Sequence, residues 1–271
     1  MADFGDHFGI NTYSYTQSMS AADCLRHLAD LGVTSFELMC YPGHLWITDS
    51  PGTLADIRKV VEANGLTLQS LNSPNIDLNI GAATSEMRAF CLALNTGFLR
   101  LAEEIGAGGI ILGPGKPNPL FPLPTDAMQV HFFRALDELV PLAEKWGRQI
   151  FIENMPFAYI PTAANVMETL GRYGNDGVGI CYDVANGHFI GETPADEIAT
   201  CASRLGLVHV SDTTRAEFRH DPVGVGDVDV KPLATAIEKA GFDKPVLLEI
   251  ISSDADRDIG ASIRALRDHG L

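Results

Sequence analysis

The feature of this chain that most restricts its fold is a regular alternation of short apolar segments with longer amphipathic ones. The apolar segments number eight: FGINTYSY, SFELMC, LQSLNSP, GIILGPG, QIFIENMP, VGICYDV, LVHVSDT and PVLLEI. Each is followed by a segment with helical periodicity, such as SAADCLRHLADLG, in which Ser20 is placed to cap a helix and Gly32 to end it. Repeated βα units of this kind predict a parallel sheet covered by helices.

Two architectures are built from such units, an open doubly wound sheet and a closed (β/α)8 barrel. The open sheet usually carries a Gly-x-Gly-x-x-Gly turn after its first strand, and this chain has none. Its 271 residues match the roughly 250 residues of one-domain barrels, and no Pro-, Gly- or Ser-rich linker divides them. We therefore predict a single α/β TIM-barrel domain over residues 1–271, with its active site at the carboxyl ends of the strands.

Composition excludes several classes of partner. The formal net charge of −16 would repel nucleic-acid phosphates over most of the surface. No apolar run approaches the roughly 18 residues of a membrane span, and the first ten residues lack the basic and apolar regions of a signal peptide. The five scattered cysteines form no Cys-x-x-Cys pair and are expected to be buried thiols. We expect a cytoplasmic protein without nucleic-acid or membrane partners, and a homo-oligomer is compatible with the sequence.

Charged or ionisable residues occur where four consecutive predicted strands end. They are Glu153 in IFIENMP, Asp183 in GICYDV, His209 in LVHV and Glu249 in VLLEI. Barrel strands are buried on both faces, so such groups are costly unless they serve the site at the barrel mouth. Strand alternation would point all four inward if the residues two positions earlier also face the interior, namely Phe151, Cys181, Leu207 and Leu247.

Three converging carboxylates would repel one another and raise their pKa values, and a divalent cation removes that cost while using the imidazole as a fourth ligand. The oxygen-rich, thiol-free set favours Mn²⁺, with Mg²⁺, Co²⁺ or Zn²⁺ as alternatives. We therefore predict one metal ion held by Glu153, Asp183, His209 and Glu249.

Other polar residues near the strand ends are candidates for binding substrate. They are Glu37, Asn72, Asn186, His188, Arg215 and His220. The Arg215 guanidinium suits a carboxylate, a phosphate or an enediolate oxygen, and the sequence does not decide between them. A structural hydrogen bond is an alternative role for Glu37, and a loop contact for His188 and His220.

The order IENMP, CYDVANGHFIGETP, VHVSDTTRAEFRHDPVGVGDVD and VLLEI resembles the xylose-isomerase-like TIM-barrel superfamily. Its members include sugar-phosphate isomerases and epimerases, D-tagatose 3-epimerase, inosose dehydratase and endonuclease IV. The resemblance implies that Glu153 and Glu249 are the acid/base pair as well as metal ligands, and that Arg215 contacts substrate. The chain departs from the ketose 3-epimerases at Asn186, where they carry a histidine, and at Tyr159, where some carry a glutamate.

The resemblance implies a divalent-metal-dependent isomerase or epimerase of a small ketose or polyhydroxy ketone, acting through an enediolate. A glutamate would remove a proton beside the carbonyl, and its return to another carbon or face gives isomerisation or epimerisation. The alternative is a dehydratase of an inosose or a dehydroshikimate-like acid. A metal-independent sugar-binding barrel is a third hypothesis. The nuclease branch needs more metal-binding histidines than this chain offers among its eight.

Overall fold

Eight parallel strands form a closed barrel in which every strand pairs with its neighbours in chain order, and the last pairs with the first. The computed structural model describes residues 4–5 and 7–271. The strands are β1 (Phe8–Asn11), β2 (Ser35–Met39), β3 (Thr67–Asn72), β4 (Gly109–Leu112), β5 (Gln149–Glu153), β6 (Val178–Asp183), β7 (Leu205–Val210) and β8 (Val246–Leu248). The predicted TIM barrel is confirmed.

Within the described residues, nine α-helices follow or link these strands. They are α1 (Ala21–Asp30), α2 (Pro51–Asn64), α3 (Ser85–Ile105), α4 (Thr125–Trp146), α5 (Ala163–Tyr173), α6 (Val184–Phe189), α7 (Pro194–Cys201), α8 (Leu233–Lys239) and α9 (Ala255–Asp268). The sequence predicts eight of them and misses α6, because six residues are too few to show a helical period. No described helix has the length and apolarity needed to cross a membrane.

Local sequence explains where the helices begin and end. Ser20 accepts a hydrogen bond from the backbone N–H of Asp23 at the start of α1, as predicted. Ser50 caps α2 in the same way, and Gly65 ends α2 with a φ of 61°, a left-handed conformation that favours glycine. These signals fix the helix lengths, and the apolar helix faces pack on the outside of the barrel in the main core.

The barrel interior holds a second, separate cluster of five buried side chains. They are Ile111, Phe151, Cys181, Leu207 and Leu247. Four of them are the residues that strand alternation places beneath the polar strand ends, so these residues face the interior as predicted. Glycines on β4, β6 and β7 make room for the Phe151 ring, since a Cβ at Gly109, Gly179 or Gly206 would overlap it. We call these five residues the barrel floor.

Candidate metal and substrate site

Four polar side chains converge directly above the barrel floor. Glu153, Asp183 and His209 come from β5, β6 and β7, and Glu249 follows β8, where its N–H donates to the carbonyl of Val210. The four side chains are buried. One ligand atom from each lies within 4.8 Å of all the others. The group could therefore hold a metal ion.

The distances around His209 are equal to or a few tenths of an ångström longer than those of a coordination shell. Its Nδ1 lies 3.1 Å from Glu249 Oε2, 3.6 Å from Glu153 Oε1 and 3.7 Å from Asp183 Oδ2. Ligand atoms about 2.1 Å from a common ion lie about 3.0 to 3.4 Å apart in octahedral or tetrahedral geometry. Asp183 Oδ2 and both ring nitrogens of His209 are buried and have no hydrogen-bond partner among the described residues. Of these atoms, Asp183 Oδ2 and His209 Nδ1 face the other proposed metal ligands, as is expected of atoms directed at an ion.

Glu37, from β2, lies on the other side of the His209 ring. Its Oε1 is 3.0 Å from His209 Nε2, and both side chains are fully buried. A carboxylate here favours the proton on Nε2 and leaves Nδ1 free to bind a cation. The hydroxyl of Ser70 donates to the other carboxylate oxygen of Glu37. Glu37 thus contacts His209, a proposed metal ligand, and does not face the open part of the site.

Two asparagines connect Glu37 to Glu249. The Nδ2 of Asn11 lies 2.7 Å from Glu37 Oε1 and 3.1 Å from Glu249 Oε1. The corresponding distances from Asn72 Nδ2 are 3.0 Å and 3.2 Å. Each amide donates to the Oε1 atoms, which leaves Glu249 Oε2 directed at His209. These contacts hold the Glu249 carboxylate in place.

Asp183 ends β6 and also caps α6. Its Oδ1 accepts a 2.6 Å hydrogen bond from the backbone N–H of Asn186, which leaves Oδ2 for a ligand. The Asn154 side chain bonds both the N–H and the carbonyl of Asp183, at 2.7 Å and 3.0 Å. The Asn186 amide donates to Glu153 Oε1 at 3.3 Å. The short helix that the sequence does not reveal therefore connects two of the four proposed ligands.

Burial and mutual proximity shift the pKa values of the four groups apart. Burial raises the pKa of Glu153, and burial together with Glu249 raises the pKa of Asp183 to about 7. Burial also disfavours ionised Glu249, but His209 and His220 hold its pKa at about 2. Burial alone would lower the pKa of His209, yet Cys181, Glu37 and Glu249 raise it well above the usual value.

A cavity of about 380 Å³ opens above these groups at the carboxyl ends of the strands. Glu153 and Glu249 reach its wall. The volume is at the small end of the roughly 300 to 1,000 Å³ typical of small-molecule sites. Three predicted substrate contacts, Asn72, Asn186 and His220, also line it.

Three other predicted substrate contacts lie elsewhere. Glu37 is below the cavity against His209. His188 is turned toward Asp227, with 2.6 Å between Nε2 and Oδ1. Arg215 is exposed, and its Nη2 donates to the carbonyl of Glu192 at 3.3 Å, so it is not part of the cavity wall.

A buried carboxylate, that of Asp212, sets the shape of the loop after β7. Asp212 accepts hydrogen bonds from the backbone N–H groups of Thr213, Gly224 and Val228. The cavity wall then receives Phe218, Arg219, His220 and Asp221 from this loop. His220 Nδ1 lies 3.0 Å from Ser211 Oγ and 3.6 Å from Glu249 Oε2.

Sequence reasoning missed several residues of the wall, among them Tyr13, Tyr41, Asn75, Asp77 and Arg219. All of them lie in loops or short turns that follow strands. Their position after β1, β2, β3 or β7 is the only signal that the sequence offers. That signal does not show which loop side chains turn inward.

The chain is similar in sequence and in fold to several known proteins. The chain is 21% identical over 248 residues to an uncharacterized protein of Methanocaldococcus jannaschii, covering 89% of this chain and 83% of that protein. A crystal structure of a D-tagatose 3-epimerase-like protein superposes with a TM-score of 0.84 at 19% identity, over 97% of this chain and 96% of that chain. A crystal structure of the IolI protein with a bound zinc atom gives a TM-score of 0.79 at 16% identity, with coverage of 97% and 96%.

At these identities the structural likeness supports the fold alone. The sequence model described as "Xylose isomerase-like TIM barrel" matches residues 25–269, which is most of the chain. The chain belongs to the xylose isomerase-like TIM barrel family.

Proposed function

We propose that this protein is a divalent-metal-dependent isomerase or epimerase of a small polyhydroxy ketone. The observation that carries the proposal is the convergence of Glu153, Asp183, His209 and Glu249, with unpartnered Asp183 Oδ2 and His209 Nδ1 among the described residues, beneath a cavity of about 380 Å³. The chain also belongs to a family described as xylose isomerase-like, which is consistent with an isomerase.

The donor set fits one divalent ion. Three carboxylates and one imidazole nitrogen would hold it, and Mn²⁺ is our first choice, with Mg²⁺, Co²⁺ or Zn²⁺ as alternatives. When bound, such an ion would supply Lewis-acid chemistry for activating the substrate's carbonyl. Glu37 orients His209 for this role through its contact with Nε2.

Glu153 and Glu249 are suited to move the proton. Both belong to the cavity wall, and they are held by different partners, Glu153 by Asn186 and Glu249 by Asn11 and Asn72. One carboxylate would remove the proton beside the carbonyl, and the other would return it to a different face or carbon. His220, close to Glu249, is placed to hydrogen-bond a substrate hydroxyl.

The test is proton exchange in D₂O with the Mn²⁺-loaded protein and a panel of ketoses, inososes and keto acids. Deuterium incorporated beside the carbonyl without loss of water supports an isomerase or epimerase. A conjugated chromophore would instead identify the dehydratase, in which the same intermediate loses a β-hydroxyl. Absence of both reactions with every candidate metal would refute the proposal.

Matched variants test the two glutamates. Glu153→Gln and Glu249→Gln should each lower kcat by about 10² to 10⁴ while circular dichroism remains unchanged. Glu192→Gln is the control, because Glu192 is a partly buried carboxylate whose hydrogen bonds go to Tyr182 and Ala163 rather than to the site. A Glu153→Gln protein with normal turnover would contradict the assigned role.

A further inference from the structure

The wall of the cavity carries more negative than positive charge. In addition to Glu153 and Glu249, it includes the carboxylates Asp77 and Asp221. Arg219 is the one permanently charged cation that the described structure places on this wall. Its Nε donates to Glu217 Oε2 at 2.8 Å, and its side chain is 58% exposed, so its charge is already paired at the edge of the site.

Two further cations close to the mouth, Arg215 and Lys116, already have partners. Arg215 donates to the carbonyl of Glu192 on the outer side of the loop. The ammonium group of Lys116 donates to the carbonyl of Ile76, and Lys116 does not line the cavity. Arg215 is therefore not part of the cavity wall, and the charge of Lys116 acts on Asp77 at the rim.

Backbone N–H groups at a helix N-terminus are the usual alternative to a cation for binding an anion. The helix that starts within the site is α6, and its N-terminal N–H at Asn186 is bonded to Asp183 Oδ1. The side chain of Asp183, a proposed metal ligand, thus occupies the backbone N–H group that a phosphate or carboxylate group of a substrate would use.

A bound divalent ion would not reverse this balance. Five carboxylates face the site: Asp77, Glu153, Asp183, Asp221 and Glu249. An ion with two positive charges would offset two of them, and the Lys116 ammonium, which lies within electrostatic range of Asp77, would offset a third. Arg219 is already paired with Glu217, so two negative charges remain. Like charges brought together cost several kcal/mol in a binding site.

We propose that the substrate of this site is uncharged, a free ketose or a ketone-bearing cyclitol rather than a sugar phosphate or a keto acid. This inference rests on the proposed function. The wall offers hydrogen-bonding groups that suit hydroxyls, namely the carboxylate of Asp77, the phenol of Tyr13, the imidazole of His220 and the amide of Asn186. The buried Oδ1 of Asn186 has no hydrogen-bond partner within the described part of the chain. Carboxylate and amide oxygens accept hydrogen bonds from a hydroxyl and repel a phosphate.

The experiment compares matched pairs on the Mn²⁺-loaded protein: each ketose that exchanges deuterium and the same ketose carrying a terminal phosphate. We expect kcat/KM to be about 100-fold or more higher for the free sugar. Isothermal titration with glucitol and with glucitol 6-phosphate gives a second readout, and we expect the neutral polyol to bind more tightly. Equal or better turnover or binding of the phosphorylated compound would overturn the inference.

Substitution of Asp77 locates the origin of the discrimination. The quantity to compare is kcat/KM for the phosphorylated sugar divided by kcat/KM for the free sugar. Asp77→Asn should raise this ratio by about threefold to tenfold, because one repelling charge is removed. Asp30→Asn changes net charge equally at the far end of α1 and should leave the ratio unchanged. An Asp77→Asn ratio equal to that of Asp30→Asn would contradict the role of the wall charge.

The two proposals fail in different ways. Turnover of phosphorylated ketoses alone would leave the proposed isomerase intact and refute a neutral substrate. No turnover of any compound would refute the isomerase, and titration would still test the neutral substrate. Tighter binding of glucitol would support a neutral substrate. Tighter binding of glucitol 6-phosphate, or no binding of either compound, would refute it.

Discussion

Replacing Glu37 with Gln removes the negative charge next to His209 Nε2 while keeping the shape of the side chain. Glu37 is fully buried, and its Oε1 accepts from Asn11 and Asn72. A Gln whose amide oxygen takes this position keeps both bonds and turns its NH₂ toward the Ser70 hydroxyl, which can accept as well as donate. The substitution therefore tests the charge with little loss of packing.

The expected effect is on metal affinity. Groups that orient a metal-binding histidine typically contribute 10- to 100-fold to affinity, or about 1.4 to 2.7 kcal/mol. Isothermal titration of metal-free protein with Mn²⁺ measures this directly, and a binding constant lowered about 10- to 100-fold is the predicted result. Unfolding of the metal-free variant in urea checks that the fold is retained.

Glu192→Gln serves as the control, because it neutralises a partly buried carboxylate that bonds Tyr182 and Ala163 outside the four-residue group. Its Mn²⁺ affinity should equal that of the parent protein. A Glu37→Gln protein that binds Mn²⁺ within about twofold of the parent would refute the argument that Glu37 orients His209.

Two further predictions concern stability. Between pH 5 and 8 the metal-free protein should lose about 3 kcal/mol of stability as pH rises, because the buried Asp183 carboxyl, whose pKa is raised to about 7, stays protonated in the folded state over most of this range while the unfolded chain has already ionised it. Thermal unfolding in EDTA measures this, and a Tm that increases with pH would contradict it. Gly206→Ala should destabilise the barrel by about 1 to 3 kcal/mol in urea unfolding, because the new methyl group overlaps the Phe151 ring. Gly171→Ala, a helical position with open space around it, should be neutral or slightly stabilising, and equal destabilisation by both substitutions would contradict the packing argument.

The barrel and the inward direction of the four polar strand ends follow from sequence because strand periodicity is strict. Once Glu153 faces the interior, Phe151 must do so as well, and the structure places Phe151 in the barrel floor. The same rule applies to His209 and Leu207. Residues fixed by the parity of a strand are therefore predictable from the chain alone.

Loop conformation and contacts between distant strands are not encoded in a local pattern. Arg215 follows a predicted metal ligand closely in sequence. Backbone N–H groups of the loop donate to the Asp212 carboxylate and set the course of the loop, and Arg219 rather than Arg215 lines the cavity. Glu37 reads as a rim carboxylate, but only the closed barrel shows that it meets His209. These contacts depend on three-dimensional neighbours that periodicity does not specify.

The barrel floor also has a kinetic consequence. Because Phe151 and its four neighbours fill the interior below the proposed ligands, the cavity is a dead end with its opening at the carboxyl ends of the strands. A product must leave by the route through which the next substrate arrives. Product and substrate therefore exclude each other, and the product of any reaction here should act as a competitive inhibitor whose release contributes to the turnover time.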